Sequence, residues 1–106
     1  METMDAVDVL DSLAHGRRLE LFRLLVRVGP AGLPAGEISE RAALPPASRN
    51  FHLSRLEAAG LVQKRRDGRR ILYAADFGRV QELATFLVRE CCVEASEPCD
   101  TPDGCC

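Results

Sequence analysis

The sequence predicts a mainly α-helical domain that carries one small β-hairpin. Apolar residues recur at helical spacing in five segments, and glycine or proline separates most of these segments. Two short strand-like segments flank Asp67 and Gly68, a dipeptide typical of tight hairpin turns. The chain has 106 residues and a hydrophobic content of 46%, so we expect a single folded domain with its own core.

Helix-breaking and helix-capping residues set the boundaries of the expected elements. Gly29 and Pro30 end the second helix, and Gly60 follows the fourth at a position where glycine is common. Asp76 can cap the last helix. We expect helices at 4–14, 17–28, 35–43 and 48–59, strands at 61–66 and 70–74, and a last helix at 77–93. This order is that of a winged helix-turn-helix domain, a fold that binds duplex DNA.

The apolar spacing also predicts which side chains face the core. In the first helix Val7, Leu10 and Leu13 share one face, which we expect to be buried. In the second helix Arg18 and Arg23 should point mostly outward, away from the apolar face.

The fourth helix would be the one that enters the major groove. Leu53 and Leu56 point inward together, which leaves Phe51 on the outward side. An outward phenylalanine suits contact with thymine methyl groups, although packing beneath the hairpin is an alternative. We expect DNA contacts from Ser48, Arg49, Asn50, Phe51, His52 and Arg55 on this helix, and from Lys64, Arg65, Arg66, Arg69 and Arg70 on the hairpin.

Charge is segregated along the chain although the net charge is only −2. Residues 41–79 include nine basic and three acidic side chains, whereas residues 1–11 contain four acids and no base. All charged residues after Arg89 are acidic. A basic middle between acidic ends favours a local DNA-binding face, with a solvated charged surface as the alternative.

Two segments and the hairpin together resemble the ArsR/SmtB family of arsenical-resistance repressors. The segments are 13–19 (LAHGRRL) and 51–62 (FHLSRLEAAGLV), and the hairpin turns at Asp67 and Gly68. The resemblance implies a homodimer built on the first and last helices, which binds operator DNA with two recognition helices and is not an enzyme. One departure is Arg49, where the family usually carries an apolar residue; its charge must reach past the helix end or contact phosphate.

All five cysteines lie within the last sixteen residues. In a reducing compartment, a cluster of this kind indicates a soft-metal or redox site rather than a disulfide framework. Cys91 and Cys92 at the end of the last helix, with Cys99 beyond them, resemble the family subgroup that binds arsenite there, and Cys105 or Cys106 could replace Cys99. The resemblance implies As(III) as inducer, with Sb(III) and methylated trivalent arsenicals as further candidates.

Other functions of the cysteines are also consistent with the sequence. Five thiols could bind zinc, cadmium or lead, because zinc needs four ligands. They could also form a redox switch, buffer metal, or have no regulatory role. A thiol-dependent arsenate reductase is disfavoured, since the neighbouring acids would repel an oxyanion.

Two expectations concern where the protein resides and how it is divided. No apolar run reaches the length of a membrane span, and the acidic start lacks the features of a signal peptide, so we expect a cytoplasmic protein without membrane contact. Residues 1–93 should form the DNA-binding and dimerisation domain, and 94–106 a flexible, cysteine-rich acidic tail.

Overall fold

A computed structural model of the chain describes residues 1–96. Apart from one short additional strand, the helices and strands in this part follow the order predicted from the sequence, which confirms the winged helix-turn-helix fold. They are α1 Thr3–Leu13, α2 Gly16–Val28, β1 Leu33–Pro34, α3 Ala35–Ala42, α4 Pro46–Ala58, β2 Val62–Asp67, β3 Arg70–Ala75 and α5 Phe77–Val88. Cys99, Cys105 and Cys106 lie outside the described residues.

The sheet has three antiparallel strands in the order β1-β3-β2, one more than the hairpin that was predicted. Strand β1 pairs Leu33 with Tyr73, and two residues are too few to show any alternation in the sequence. Gly32 permits this pairing: it has a φ of +74°, and a Cβ there would lie 2.6 Å from the carbonyl oxygen of Tyr73. The hairpin turns where predicted, with Asp67 paired to Arg70.

The core is formed where α2 packs against α3, α4 and the sheet. The fully buried side chains include Leu21 and Leu25 of α2, Ile38 of α3, and Leu53 and Leu56 of α4. This packing holds α3 and α4 as a fixed pair, which is what a helix-turn-helix needs to place its second helix in a groove.

The inward face of α1 differs from the prediction. Ala6 and Val9 are buried, whereas Val7 and Leu10 are 48% and 43% exposed. Both sets of residues are apolar at helical spacing, so the sequence of α1 has two candidate faces and periodicity does not choose between them. The exposed set leaves an apolar strip on the outside of the protein.

Helix α5 ends at Val88 rather than at Val93 as predicted. Arg89 has an extended backbone, and Glu90 and Cys92 adopt left-handed conformations with φ of 67° and 60°. Cysteine and valine are weak helix formers, and Glu90 would place a negative charge at the negative end of the helix. The pair Cys91 and Cys92 therefore lies in a turn after α5, not on the helix.

Within residues 1–96, none of the helices is long and apolar enough to cross a membrane.

Candidate nucleic-acid interface

The turn that precedes α4 is built from local backbone preferences. Ala43 ends α3 in the left-handed region with a φ of 54°. Pro45 is extended, and Pro46 occupies the first turn of α4, where its missing N–H costs nothing. The helix therefore begins two residues before the predicted Ser48. Ser48 is half-buried and Asn50 is exposed in its first turns.

Phe51 is the exposed apolar residue of α4, as the sequence predicted. It is 57% exposed, which argues against the alternative in which it packs beneath the hairpin of β2 and β3, the wing of the fold. The guanidinium carbons of Arg18 and Arg55 lie 5.7 and 5.9 Å from its ring centroid, within the range of cation–π attraction. The ring is thus presented to the outside and supported by two cations.

Arg49 joins α4 to α3. Its Nη1 donates to Ser39 Oγ at 2.9 Å and to the carbonyl oxygen of Ala35 at 3.3 Å, and its Nε donates to Asn50 Oδ1 at 3.1 Å. These acceptors explain how an arginine stands at a position where the sequence pattern calls for an apolar residue. The side chain reaches across the helix pair, and its charge is held there by hydrogen bonds.

His52 lies beneath the outer face of α4 rather than on it. Its side chain is 6% exposed, and its Nδ1 accepts from the Nε of Arg18 at 3.4 Å. Burial lowers the pKa of His52, and the charges of Arg18, His15 and Arg17 lower this pKa further. The sequence placed His52 among the DNA contacts, but in this structure it presents almost no surface to a ligand.

Arg18 is also buried, contrary to the expectation that it points outward. It is 5% exposed, and its Nη1 donates to the carbonyl oxygen of Ser12 at 3.1 Å. A helical wheel of α2 could not show this, because both acceptors belong to other helices: Ser12 to α1 and His52 to α4.

The wing carries five basic side chains. Three of them have partners within the described residues, and two of them have none. Arg65 donates to the carbonyl oxygens of Pro30 and Ala31 at 3.0 and 2.9 Å, so it braces the wing against the loop after α2. Lys64 pairs with Glu57 of α4 at 3.8 Å, and Arg70 pairs with Asp67 at 3.3 Å. Arg66 and Arg69 make no side-chain hydrogen bond or ion pair with any other residue in 1–96, so their charges are available to phosphate.

A second basic surface, which the sequence analysis did not single out, lies between α2 and α3. Arginine side chains surround a cavity of about 270 Å³ together with one carboxylate, that of Glu20. Arg17 pairs with Glu20 at 3.6 Å and donates to the carbonyl oxygen of Ala43 at 3.1 Å, next to the turn before α4. The other arginines are Arg23, Arg27 and Arg41. The available sequence signal was the number of arginines in α2, three of which line this cavity.

The cysteine pair is displaced from the DNA-reading helix and lies after α5. Cys91 is half-buried and Cys92 is exposed. Among residues 1–96 there is no group of three or more histidine, cysteine or acidic side chains placed to hold a metal ion. The third predicted ligand, Cys99, and its substitutes Cys105 and Cys106 lie outside the described residues.

An apolar surface extends over α1 and α5, which pack against each other. Exposed large apolar side chains on these two helices are Met4, Val7, Leu10, Phe77, Leu87 and Val88. An apolar surface of this kind is typical of a contact with another protein surface.

Comparison with known proteins agrees with this geometry. A family model described as a helix-turn-helix domain matches residues 13–65. The HTH-type transcriptional regulator YgaV of Escherichia coli (strain K12) is 30% identical over 87 residues, which are 82% of this chain and 86% of that protein.

Two solved structures are also similar to this chain. An ArsR-like transcriptional regulator from Rhodococcus sp. RHA1 superposes with a TM-score of 0.74 at 28% identity, over 81% of this chain and 78% of that one. The homodimeric winged helix-turn-helix DNA-binding domain of Mb0332 from Mycobacterium bovis superposes with a TM-score of 0.66 at 28% identity, over 88% of this chain and 82% of that one.

Proposed function

Because the chain belongs to the ArsR family of winged helix-turn-helix transcriptional regulators, we propose that it is a homodimeric repressor released from its operator when its C-terminal cysteines bind trivalent arsenic. The regulator assignment rests on the fold and the relatives, which are DNA-binding transcriptional regulators and not enzymes. The observation that carries the arsenic proposal is the position of Cys91 and Cys92 in a turn after α5.

The DNA-binding part of the proposal rests on α4 and the wing. Phe51 offers an apolar contact for thymine methyl groups, and Arg55 beside it can reach phosphate or base edges. Arg66 and Arg69 supply charges that no described side chain neutralises. Arg49 and His52 act from behind this surface by holding α4 in place.

The homodimer would form through α1 and α5. Their exposed apolar side chains include Met4, Val7 and Leu10 on α1 and Leu87 and Val88 on α5. Pairing two copies across a twofold axis buries this surface, at about 25 cal/mol per Å² of apolar area removed from water. The Mycobacterium bovis neighbour is homodimeric, which supports a dimer here without indicating the helices that form it.

The sensing part of the proposal follows from thiol chemistry. Adjacent residues on an intact helix point about 100° apart, so two neighbouring thiols reach one ion only if the helix loosens. Cys91 and Cys92 are already in a turn, and Cys92 has a left-handed backbone. As(III) or Sb(III) takes three thiolate sulfurs, for which Cys99 would be the third, with Cys105 and Cys106 as substitutes. A methylated trivalent arsenical would need only two.

Release of DNA would follow from the attachment of the cysteine turn to α5. Drawing a third thiol toward Cys91 and Cys92 changes the strain on the end of α5, which is also the proposed dimer interface. A ligand shifts this equilibrium only by its different affinity for the two dimer geometries. A tenfold loss of DNA affinity requires about 1.4 kcal/mol of coupling.

A thiol-redox switch is the second candidate, because all five cysteines lie within the last sixteen residues of the chain. Zinc, cadmium or lead is a third possibility, favoured by the number of cysteines in the chain.

One titration separates these candidates. The reduced protein is bound to a duplex selected from a random library, and As(III), Zn²⁺ or an oxidant is added while DNA release and pH are followed. We expect As(III) to release the duplex at the lowest concentration with little proton uptake or loss, because arsenous acid and thiols condense to As–S bonds and water. Release by Zn²⁺ with loss of thiol protons, or by the oxidant alone, would replace the arsenic proposal.

A further inference from the structure

We propose that Arg18 is a positioning residue for DNA reading. Its buried guanidinium holds Phe51 and His52 of α4 in a fixed position relative to the carboxyl end of α1. This inference rests on the DNA-binding part of the proposed function and is independent of what the cysteines bind.

The burial of Arg18 is the first observation. Arg18 is 5% exposed, so its guanidinium has lost most of its hydration, which is unfavourable unless other groups replace the water. No carboxylate in residues 1–96 forms an ion pair with it. Its acceptors are the Ser12 carbonyl oxygen at 3.1 Å and His52 Nδ1 at 3.4 Å.

The end of α1 supplies the missing negative charge. Helix α1 ends at Leu13, so the carbonyl of Ser12 is one of the last four, which have no partner within the helix. These carbonyls carry the negative end of the helix dipole, and a cation there is stabilised. The Ser12 hydroxyl donates to the carbonyl oxygen of Val9 at 2.8 Å, so the group of Ser12 that Arg18 contacts is its backbone carbonyl. The last turn of α1 therefore stabilises the positive charge of Arg18.

His52 fixes the other side of this contact. For Nδ1 to accept from Arg18, the ring must be neutral with its proton on Nε2. The ring also lies against His15, with centroids 4.9 Å apart, in the short connection between α1 and α2. The buried side of α4 at this point is therefore held by α1, by α2 and by the residue between them.

Phe51 links this buried contact to the surface. Its ring centroid is 5.7 Å from the guanidinium carbon of Arg18 and 5.7 Å from the ring of its neighbour His52. The same guanidinium thus touches a carbonyl of α1, the buried ring of His52 and the exposed ring of Phe51. Removing it leaves Phe51 without one of its two supporting cations, so the ring should lose its fixed direction.

The test compares sequence-specific with nonspecific DNA binding. A duplex enriched from a random library by the wild-type protein and a scrambled duplex of equal length are titrated with the wild type, Arg18→Gln and Arg23→Gln. The control removes the same charge from an exposed position of the same helix. We expect Arg18→Gln to lose at least tenfold affinity for the selected duplex, while its affinity for the scrambled duplex falls no more than that of the control.

A second pair of variants keeps the test decisive if Arg18→Gln does not fold. His52→Gln retains an acceptor for Arg18, whereas His52→Leu removes it. We expect the glutamine variant to keep most of the preference for the selected duplex and the leucine variant to lose it. Equal preference in both variants, or a parallel loss on both duplexes in Arg18→Gln, would overturn the positioning role. Failure of the wild type to enrich any sequence would overturn the DNA-reading premise and this inference with it, whereas a negative arsenic titration would not affect the comparison.

Discussion

The guanidinium of Arg49 on α4 donates a 2.9 Å hydrogen bond to the hydroxyl oxygen of Ser39 on α3, across the turn between the two helices. A second contact, to the carbonyl oxygen of Ala35 at 3.3 Å, places the same side chain along the first half of α3. The angle between the two helices decides how α4 meets a groove, so this side chain contributes to DNA reading from the inside of the helix pair.

Truncation of Arg49 should therefore lower stability. We expect Arg49→Ala to reduce the free energy of unfolding by about 1–2 kcal/mol, the usual cost of charge-assisted hydrogen bonds lost from a half-buried site. Urea denaturation of Arg49→Ala, Ser39→Ala and the double variant measures this. The double variant should lose less than the sum of the two single changes. Strict additivity would show that the two side chains do not stabilise one another.

The wing should contribute affinity without specificity. Arg66→Gln and Arg69→Gln should each weaken binding to selected and scrambled duplexes alike, because a phosphate contact carries no base information. Each should also reduce the slope of log K against log salt by about 0.9. The matched control is Arg65→Gln, since Arg65 is committed to the loop carbonyls of Pro30 and Ala31. An unchanged slope in Arg66→Gln and Arg69→Gln would remove the wing tip from the DNA contact.

Protonation of His52 should destabilise the protein at acidic pH. Burial, followed by the charges of Arg18, His15 and Arg17, lowers the pKa of this side chain in the folded state. The unfolded chain then binds the proton more readily, so stability should fall as the pH drops through about 6.5, the ordinary pKa of histidine, and level off below the folded value. Thermal unfolding of wild type and His52→Gln between pH 5 and 8 measures this. An identical pH dependence in the two proteins would contradict the assignment.

The exposed face of α1 should hold the dimer together. We expect Leu10→Glu to convert the protein to a monomer in analytical ultracentrifugation and to lower its affinity for the selected duplex, because a charge would enter an apolar interface. Val26→Glu is the matched control, since Val26 is an exposed apolar residue of α2, outside the proposed interface. Dimers of unchanged stability in Leu10→Glu would place the interface elsewhere.

The sequence was sufficient to predict the fold because every element except β1 has a local signal. Helical periodicity, the breakers at Gly29 and Pro30, and the Asp67–Gly68 turn each act over a few residues, and their order is enough to define the winged helix-turn-helix. Strand β1 escaped prediction because its pairing with Tyr73 is long-range and only two residues long. The early end of α5 depends on small differences in helix propensity near several acids, which periodicity does not weigh.

The candidate site could be predicted only where one residue acts alone. Phe51 was found because its outward position on α4 follows from the helix itself. Arg18 and His52 were misplaced because their burial depends on the end of α1, a contact between distant parts of the chain. Arg49 was recognised as unusual, yet its acceptors on α3 became visible only with the two helices packed.

The most direct test of the proposed repressor is release of the selected duplex by As(III) from single cysteine variants of the reduced protein, followed by fluorescence anisotropy. We predict that Cys91→Ser and Cys92→Ser bind the duplex as tightly as the wild type but need at least tenfold more As(III) to release it. Cys99→Ser should behave in the same way. Cys105→Ser and Cys106→Ser should respond to As(III) like the wild type. Release of DNA from Cys91→Ser and Cys92→Ser at the wild-type concentration of As(III) would contradict the account.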